Sequence, residues 1–409
     1  MRSHYINHQV RQKEIGGFAG AWGVGGFTLV ELLIVTAISG FLMAGMVQMF
    51  MTNRQAMALV DDIRNMEQNA RVGMDFMARD LRRAGQGAQQ DVPFLPIDNT
   101  DTTGTVTWAS ANASFTAKGR PVLAGTDIVE MFWGYLPVPV CVTVDTPGAL
   151  GFNTNNANMK LPAASLMGLP DYTTTMTNQA VNDLLDPYSV LIYDPKCPTV
   201  VNCTQNLTGG TFNKVGGLSV QMDYNRGRGN TDDANRPHEC VSSPPAIPCG
   251  FDKTKGAAGC PADCPSGTAC INIGEDIYYF VQKVEAGNPQ LVRYKTGRTV
   301  TYAYEVMSNY VEDFQVMYGV DDSPVDGMVG ETEWKTGAEI ESMSLFSKIR
   351  MTRIYLLVKS KKVDMRMAGS NKKQLPPKIE NSTIVQPAGG GDFYRRRLMS
   401  RTVRMRTNI

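Results

Sequence analysis

Eight cysteines are the side chains of this sequence best suited to covalent chemistry, and all of them lie between Cys141 and Cys270. In chain order they are Cys141, Cys197, Cys203, Cys240, Cys249, Cys260, Cys264 and Cys270. An even number of cysteines in one region is typical of an exported domain that is held together by disulfide bonds. Because eight cysteines can pair in about 105 ways, the sequence leaves the connectivity open.

A zinc cluster is the alternative use for these thiols. Zinc knuckles usually place two cysteines two residues apart, and no pair in this sequence has that spacing. His238 is also the only histidine near the cysteines. Disulfide bonds are therefore the favoured interpretation, and we expect neither a metal nor a cofactor.

The remaining residues with reactive side chains match no catalytic pattern. His238 and Cys240 lie in a proline-rich stretch, and residues so close in sequence seldom converge on one substrate. The sequence Asp223-x-Asn225-x-Gly227 begins like a calcium loop, but glycine stands where an EF-hand needs its third ligand. The phosphate-binding pattern Gly-x4-Gly-Lys-Ser/Thr is absent. We therefore expect a protein that is not an enzyme.

Charge and length add two limits. The 40 lysines and arginines balance 39 aspartates and glutamates, so the net charge of +1 gives no long-range field for gathering nucleic acid. The 409 residues are enough for two to three domains at about 100–200 residues each. Long stretches rich in Asn, Thr, Ser and Gly indicate a surface with many loops.

The apolar run from Phe27 to Met51 is the part of the sequence that could cross a membrane. It contains one ionisable residue, Glu31. A helix of this length spans about 37 Å, which is enough to cross the roughly 30 Å hydrocarbon layer of a membrane. A cleaved secretory signal has a shorter apolar region of about 7–15 residues. An uncleaved signal anchor is the alternative, but it supplies no partner for a carboxylate that is costly in hydrocarbon.

The ten residues from Gly26 to Val35, GFTLVELLIV, resemble the processing site of type IV prepilins and of the pseudopilins of type II secretion. The resemblance implies that a membrane-embedded peptidase cuts after Gly26 and that the new amine of Phe27 is methylated. It also implies that residues 1–26 are a cytoplasmic leader and that Glu31 serves assembly. The basic residues on the two sides of the apolar run are equal in number, so orientation depends on the motif and the cysteines.

The helical pattern continues beyond the apolar run. Apolar residues recur three or four positions apart from Val60 to Leu81, and no proline or turn cluster interrupts them before Gly85. We therefore predict one helix over residues 27–85, about 85 Å long, with 27–51 as its membrane-spanning part. The alternative is a membrane helix followed by a separate soluble helix, with bends at Gly40, Gly45 or Gly73.

From residue 86 onward the pattern changes to short strands separated by polar stretches, which predicts a mainly antiparallel β domain over 86–409. The predicted strands are Asp127–Trp133, Tyr188–Tyr193, Leu218–Tyr224, Asp276–Val284, Gln290–Lys295, Val300–Val306, Val311–Tyr318, Thr352–Val358 and Leu398–Arg406. A further helix is predicted over Glu339–Phe346. Three stretches read as loops or insertions, namely Asp98–Gly119, Thr146–Asp171 and Lys196–Gly274, the last containing a cysteine-rich insertion at 197–270. The expected fold class is α+β, with one long N-terminal helix packed on this domain.

The end of the chain is rich in arginine. The residues concerned are Arg395, Arg396, Arg397, Arg401, Arg404 and Arg406. They could contact an anionic partner such as the phosphates of DNA, but a terminal strand with one half-buried face is the favoured interpretation.

Three segments near this end resemble the PilW family of minor pilins. They are Tyr394–Arg397 with Thr402–Arg406, the stretch Val311–Asp321, and the stretch Arg353–Val358. The resemblance leaves about residues 86–275 unmatched, and the cysteine-rich insertion departs from what the family leads us to expect.

The two resemblances together imply a PilW-like minor pilin that takes part in priming and assembly of a type IV pilus without catalysing a reaction. The implied partners are other minor pilins, the major pilin, the prepilin peptidase, the inner-membrane assembly platform and a large tip protein. The implied location is the inner membrane, in a single pass with the C-terminal domain in the periplasm, and outside the cell once assembled. Two alternatives stay open: a J-type pseudopilin of type II secretion, and a pilus-tip adhesin or DNA-binding module.

Overall fold

The computed structural model of the chain describes residues 27–85, 94–99, 108–117, 119–134, 140–143, 150–152, 156–162, 171–185, 189–193, 203–206, 212–215, 219–225, 268–284, 288–295, 304–322, 325, 327–343, 345, 348–364, 368, 379 and 392–405. The chain divides into two units, Met1–Ala58 and Leu59–Ile409.

One continuous helix, α1 (Leu29–Arg83, 55 residues), opens the described part of the chain. It ends just before Gly85, whose φ of +80° is the left-handed conformation that glycine commonly adopts after a helix. The helix runs through the glycines that were considered as bends, so the prediction of a single helix is confirmed and the two-helix alternative is wrong. Gly73 instead allows close packing, since a Cβ there would lie 3.3 Å from Leu291 and 3.5 Å from Met307.

Three short helices and sixteen strands follow in the described residues. The helices are α2 (Trp108–Ala117), α3 (Asn178–Leu185) and α4 (Gly337–Ser342). The strands are β1 (Phe94–Ile97), β2 (Ile128–Gly134), β3 (Val140–Thr143), β4 (Leu150–Phe152), β5 (Asn156–Pro162), β6 (Ser189–Tyr193), β7 (Cys203–Asn206), β8 (Phe212–Val215), β9 (Ser219–Asn225), β10 (Thr268–Gln282), β11 (Gln290–Lys295), β12 (Tyr304–Asn309), β13 (Val311–Val320), β14 (Trp334–Lys335), β15 (Ile349–Val363) and β16 (Tyr394–Arg404).

The described strands form three antiparallel sheets. The first has eight strands, with β1, β2, β10, β11 and β12 in that order, β3 and β6 paired with β10, and β7 paired with β6. The second sheet has the order β14-β13-β15-β16, and the third has the order β4-β5-β9-β8. Antiparallel neighbours and a long N-terminal helix confirm the predicted α+β class.

The first sheet is covered on both faces. Val129 and Met131 of β2 belong to a buried cluster with Met77 of α1. Ile128 of β2 faces the opposite way, into a second cluster with Phe115 of α2. Burial on both faces explains why all seven residues of β2 are buried and why this strand lacks the usual alternation of apolar and polar residues.

The second sheet packs on the same helix. Ile354 and Leu356 of β15 and Val403 of β16 join Met74 of α1 in the first cluster. The amphipathic part of α1, which the spacing of its apolar residues predicted, therefore fills the centre of the core of Leu59–Ile409.

The predicted loops were partly wrong. The stretch Asp98–Gly119 contains α2, the stretch Thr146–Asp171 contains β4 and β5, and Lys196–Gly274 contains β7, β8 and the first part of β10. Four of the ten residues of α2 are alanine, which favours a helix, but Ser, Asn and Thr between them do not, and a helix this short needs tertiary packing to be stable. Phe115 provides that packing, because its ring stacks on Phe280 with centroids 4.3 Å apart. The predicted helix Glu339–Phe346 is also shorter and begins earlier, as α4.

Candidate assembly site

The first turn of α1 joins Glu31, the predicted assembly carboxylate, to Thr28, which the sequence analysis did not single out. The backbone N and the Oγ1 of Thr28 donate hydrogen bonds to Oε2 of Glu31, at 3.0 Å and 2.9 Å. In return the backbone N of Glu31 donates to Oγ1 of Thr28 at 3.3 Å. This reciprocal arrangement is a capping box, which satisfies donors at the start of a helix that have no partner within it. The bonds hold the carboxylate through one oxygen, Oε2.

The same type of cap occurs on a helix of the globular unit. At the start of α4, the backbone N of Thr336 donates to Oε2 of Glu339 at 2.8 Å, and the backbone N of Glu339 donates to Oγ1 of Thr336 at 3.3 Å. A capping glutamate therefore has a structural role by itself, and any assembly role of Glu31 must come from its charge in addition.

Beyond the cap, the first half of α1 presents large apolar side chains on all sides. Leu29 is 77% exposed, Phe41 is 82% exposed and Met43 is 71% exposed. Within the described part of the chain, α1 is the helix that is long and apolar enough to cross a membrane, judged by length and composition. A continuous apolar surface of this kind is suited to lipid or to other apolar helices. It is consistent with a single membrane anchor.

The second half of α1 is fixed to the first sheet by a buried charge cluster. Oδ2 of Asp80 accepts hydrogen bonds from Nε of Arg293 and from the hydroxyl of Tyr279, both at 2.7 Å. A second nitrogen of Arg293, Nη1, lies 3.1 Å from Oε2 of Glu305. Since each group has a specific partner, the cluster fixes both the rotation of α1 and its height on β10 and β11.

Protonation in this cluster follows from burial and charge. Burial lowers the pKa of Arg293, but Asp80, Tyr279 and Glu305 outweigh that effect and the pKa ends above its ordinary value. Burial and the neighbouring Asp80 raise the pKa of Tyr279, so its hydroxyl keeps the proton that it donates. Arg293 therefore keeps its charge and Tyr279 its proton at neutral pH.

At the start of β16, the predicted arginine stretch is bound by acidic residues of the same chain. Arg396 is buried between Glu312, with Nε to Oε2 at 2.5 Å, and Asp392, with Nη1 to Oδ1 at 2.6 Å. Its Nη2 reaches the second oxygen of each, at 3.1 Å and 2.7 Å, so both pairs are bidentate. Hydrogen bonds from Arg396 lower the pKa of Asp392. The preceding residue, Arg395, bonds Asp364 through Nε at 2.7 Å.

Two further arginines of β16 pair with acidic residues of α1. Nε of Arg397 lies 3.4 Å from Oε1 of Glu67, and Arg401 pairs with Asp75. Arg404 lies on the exposed face of the strand. Four of the six predicted arginines thus have partners within the chain. The predicted terminal strand is present, but its buried residues Arg396 and Val403 are an odd number of positions apart and lie on opposite faces, so the strand does not have a single half-buried face. That the arginines also contact an anionic partner stays a prediction.

A polar contact joins the first and second sheets. Oδ2 of Asp127, just before β2, accepts from the backbone N of Val316 at 2.8 Å, and its Oδ1 accepts from the backbone and side-chain nitrogens of Asn99 at 3.1 Å and 3.0 Å. Burial and the neighbouring Asp98 raise the pKa of Asp127, while these donors oppose the rise. The contact closes the edge of β13 that β14 leaves uncovered.

Several predicted residues lie outside the described part of the chain. They are Gly26, Arg406, Cys197, Cys240, Cys249, Cys260 and Cys264. The backbones of Cys141, Cys203 and Cys270 are described and lie in β3, β7 and β10. Within the described residues, no group of three or more His, Cys, Asp and Glu side chains is arranged to hold a metal ion.

Comparison with known proteins bears on this arrangement of strands and arginines. Residues 278–407 match the family model described as type IV pilus-assembly protein W, PilW. This region, called the PilW region below, is similar to that family. The PilW region contains β11 to β16, together with Arg293 and the paired arginines of β16. The predicted resemblance of the late strands and of the C-terminal end to PilW is confirmed.

A type IV-like pilin from Thermus thermophilus is a similar solved structure. It is 18% identical, the match covers 36% of this chain and 71% of that protein, and the TM-score is 0.17. No curated protein matches the chain. The similarity to the PilW family concerns residues 278–407.

Sequence reasoning missed two groups of site residues. The capping box was visible as Thr28-x-x-Glu31, the standard signature of a helix start before an apolar run. Asp80 could have been singled out as a carboxylate on the apolar stripe of α1. Arg293 gives the matching signal, a charge within the apolar strand QLVRYK. Their pairing across more than two hundred residues carried no local signal.

Proposed function

We propose that this protein is a minor pilin that takes part in priming and assembly of a type IV pilus. The observation that carries the proposal is the PilW region, residues 278–407, in a chain that begins with a long exposed apolar helix. The apolar helix supplies a surface for association within a membrane, and the globular unit supplies the family-specific part. No reaction is required of the protein.

The proposed processing step creates the charge that assembly uses. Cleavage after Gly26 leaves a cationic amine on Phe27, four residues before Glu31. In hydrocarbon an isolated ammonium or carboxylate is costly, so each charge gains by pairing. We infer that the carboxylate of an incoming subunit meets the amine of the subunit already placed. The capping bonds from Thr28 support this role, because they hold Glu31 in one position through Oε2.

The proposed location is the inner membrane, with the N-terminal helix as a single pass and the C-terminal unit in the periplasm. The partners are other minor pilins, the major pilin, the prepilin peptidase and the assembly platform, with a large tip protein as a further candidate. Intramolecular pairing of Arg395, Arg396, Arg397 and Arg401 gives less support to a DNA-binding module. The PilW match gives less support to a J-type pseudopilin.

The decisive experiment separates the charge of Glu31 from its capping role. Glu31→Gln keeps an oxygen that can accept both bonds from Thr28 but removes the charge, whereas Thr28→Ala weakens the cap and keeps the charge. We expect Glu31→Gln to insert into membranes normally, to lose co-purification with the other minor pilins and to reduce the number of pili. Thr28→Ala should retain both.

Glu339→Gln is the matched control, because it makes the same change at the cap of α4. It should leave piliation unchanged. If Glu31→Gln assembles normally and Thr28→Ala does not, Glu31 acts as a helix cap only, and the charge-pairing step is wrong.

A further inference from the structure

The first and the last cysteine of the sequence occupy opposite positions on paired strands. Strands β3 and β10 are antiparallel, and their register pairs Thr143 with Thr268, Val142 with Ala269, Cys141 with Cys270, and Val140 with Ile271. We propose that a disulfide bond between Cys141 and Cys270 closes the intervening segment at its base.

The backbone positions meet the requirements of this bond. Directly opposite residues of an antiparallel pair lie on the same face of the sheet, with Cβ atoms about 4.5–5.5 Å apart and Cα atoms about 4.5–5.5 Å apart. A disulfide needs Cα atoms about 4.4–6.8 Å apart, which directly opposite positions satisfy. Its Cβ atoms are about 3.5–4.5 Å apart, so the two strands need approach each other only slightly for the bond to form. A shift of one residue in the register would place the two cysteines on opposite faces.

The register also removes the other described cysteine, Cys203, as a partner for Cys270. Cys203 of β7 pairs with Ile192 of β6, and Ile192 pairs with Ile271 of β10. Cys203 therefore lies in the row of Ile271. That row is one residue away from Cys270, so it belongs to the opposite face of the sheet. Two strand spacings of about 4.8 Å also separate β7 from β10, which is beyond the reach of a disulfide.

Position in the sequence supports the same pair. All six other cysteines lie between Cys141 and Cys270, so this bond leaves an even number inside the segment that it closes. The six can then form three disulfide bonds among themselves, with both cysteines of each bond inside the segment. The proposed bond would close the segment covalently, with one end in β3 and the other in β10, two paired strands of the first sheet.

Formation of the bond is a two-electron oxidation. The thiolate of one cysteine attacks a disulfide of a thiol–disulfide exchange protein, which releases one thiol of that protein and gives a mixed disulfide. The second cysteine of this chain, as its thiolate, then displaces the remaining sulfur. The chain loses two thiol protons and two electrons, and the exchange protein takes up both and ends as a dithiol.

The test is a disulfide map of the full chain, extracted in detergent after alkylation of free thiols. Cys141 is the only cysteine between Lys118 and Lys160, so trypsin isolates it on one peptide. We expect that peptide, without reduction, to be joined to the peptide that follows Lys255, with fragmentation placing the link at Cys270 rather than at Cys260 or Cys264. A link from Cys141 to any other cysteine, or a free thiol at Cys141, would overturn the proposal.

Reciprocal variants give a second measurement. Cys141→Ser should expose one alkylatable thiol per chain at Cys270, and Cys270→Ser should expose one at Cys141. The double variant should expose none, while the control Cys203→Ser should expose a thiol elsewhere and leave the Cys141–Cys270 peptide intact. If the chain retains eight alkylatable thiols with stoichiometric zinc, the cysteines bind metal and the disulfide is wrong.

Discussion

The first half of α1 and the PilW region differ in where their interaction partners lie. In the first half of α1, large side chains such as Phe41 and Met43 are exposed all round the helix. In the PilW region, even arginines are buried and bound by carboxylates, as Arg293 is by Asp80 and Arg396 by Glu312. The helix thus keeps its apolar surface for other molecules, whereas the PilW region uses its charges to hold itself together. Stability and assembly should therefore respond to different substitutions.

The largest expected loss of stability comes from breaking the buried cluster at Asp80. Asp80→Ala removes the buried partner of Arg293 and leaves it with Glu305, whose side chain is half exposed. Loss of a buried partner typically costs about 3–5 kcal/mol. Asp80→Asn, which keeps a hydrogen-bond acceptor, should cost less. Denaturant unfolding of the detergent-solubilised chain, followed by tryptophan fluorescence, measures both. Equal and small losses for the two variants would show that the cluster adds nothing beyond packing.

The second largest effect is expected from acid, which should weaken the contact between Arg396 and Asp392. Because Arg396 lowers the pKa of Asp392 in the folded chain, the contact stabilises the fold above the pKa of an unfolded aspartate, about 4, and loses that contribution as the pH falls through the lower folded value. We expect unfolding free energy to fall more steeply below pH 4 in the natural chain than in Asp392→Asn. Identical pH profiles for the two chains would contradict this account.

Exposed ion pairs between β16 and α1 should matter less. Arg397 is 61% exposed in its side chain and its nitrogen lies 3.4 Å from Glu67, so Arg397→Ala should cost less than about 1 kcal/mol. The loss should also shrink in high salt, because mobile ions screen exposed charges. A loss as large as that of Asp80→Ala would mean that the pair does more than its geometry indicates.

The smallest change in stability, and a large change in assembly, is expected at Phe41. Since this side chain is 82% exposed in the isolated chain, Phe41→Ala should leave the unfolding free energy of the globular unit within about 0.5 kcal/mol. The same variant should reduce co-purification with other minor pilins, because it removes apolar surface from the helix. If Phe41→Ala destabilises the globular unit and assembles normally, Phe41 serves the fold and not association, and the contrast drawn between the two regions is wrong.

The parts of the fold that could be predicted are those with a local signal. The spacing of apolar residues predicted α1 and placed β11 at Gln290–Lys295, the range it occupies. Helix α2 was missed because it forms by packing of Phe115 on the sheet, and sequence neighbours do not record such packing. The start of β10 was missed because its residues from Thr268 onward lack an apolar pattern.

The candidate site divides in the same way. The apolar run and Glu31 could be found because the motif is continuous in sequence. Asp80 and Arg293 are 213 positions apart, and Arg396 and Glu312 are 84 apart, so their pairing depends on the register of strands that are themselves brought together by folding.

Strand β16 is synthesised last among the described elements, yet it completes a core that begins with α1. Arg401 and its partner Asp75 are 326 positions apart, and Val403 packs in the cluster of Met74. At about 5–20 residues per second, a ribosome needs tens of seconds to make the chain between them. During that time β16 does not yet cover the apolar face of α1 around Met74, and contacts between residues so far apart in sequence form slowly even afterwards. A nascent chain that stops before Tyr394 would therefore retain an uncovered apolar stripe, which is the kind of surface that chaperones and proteases recognise.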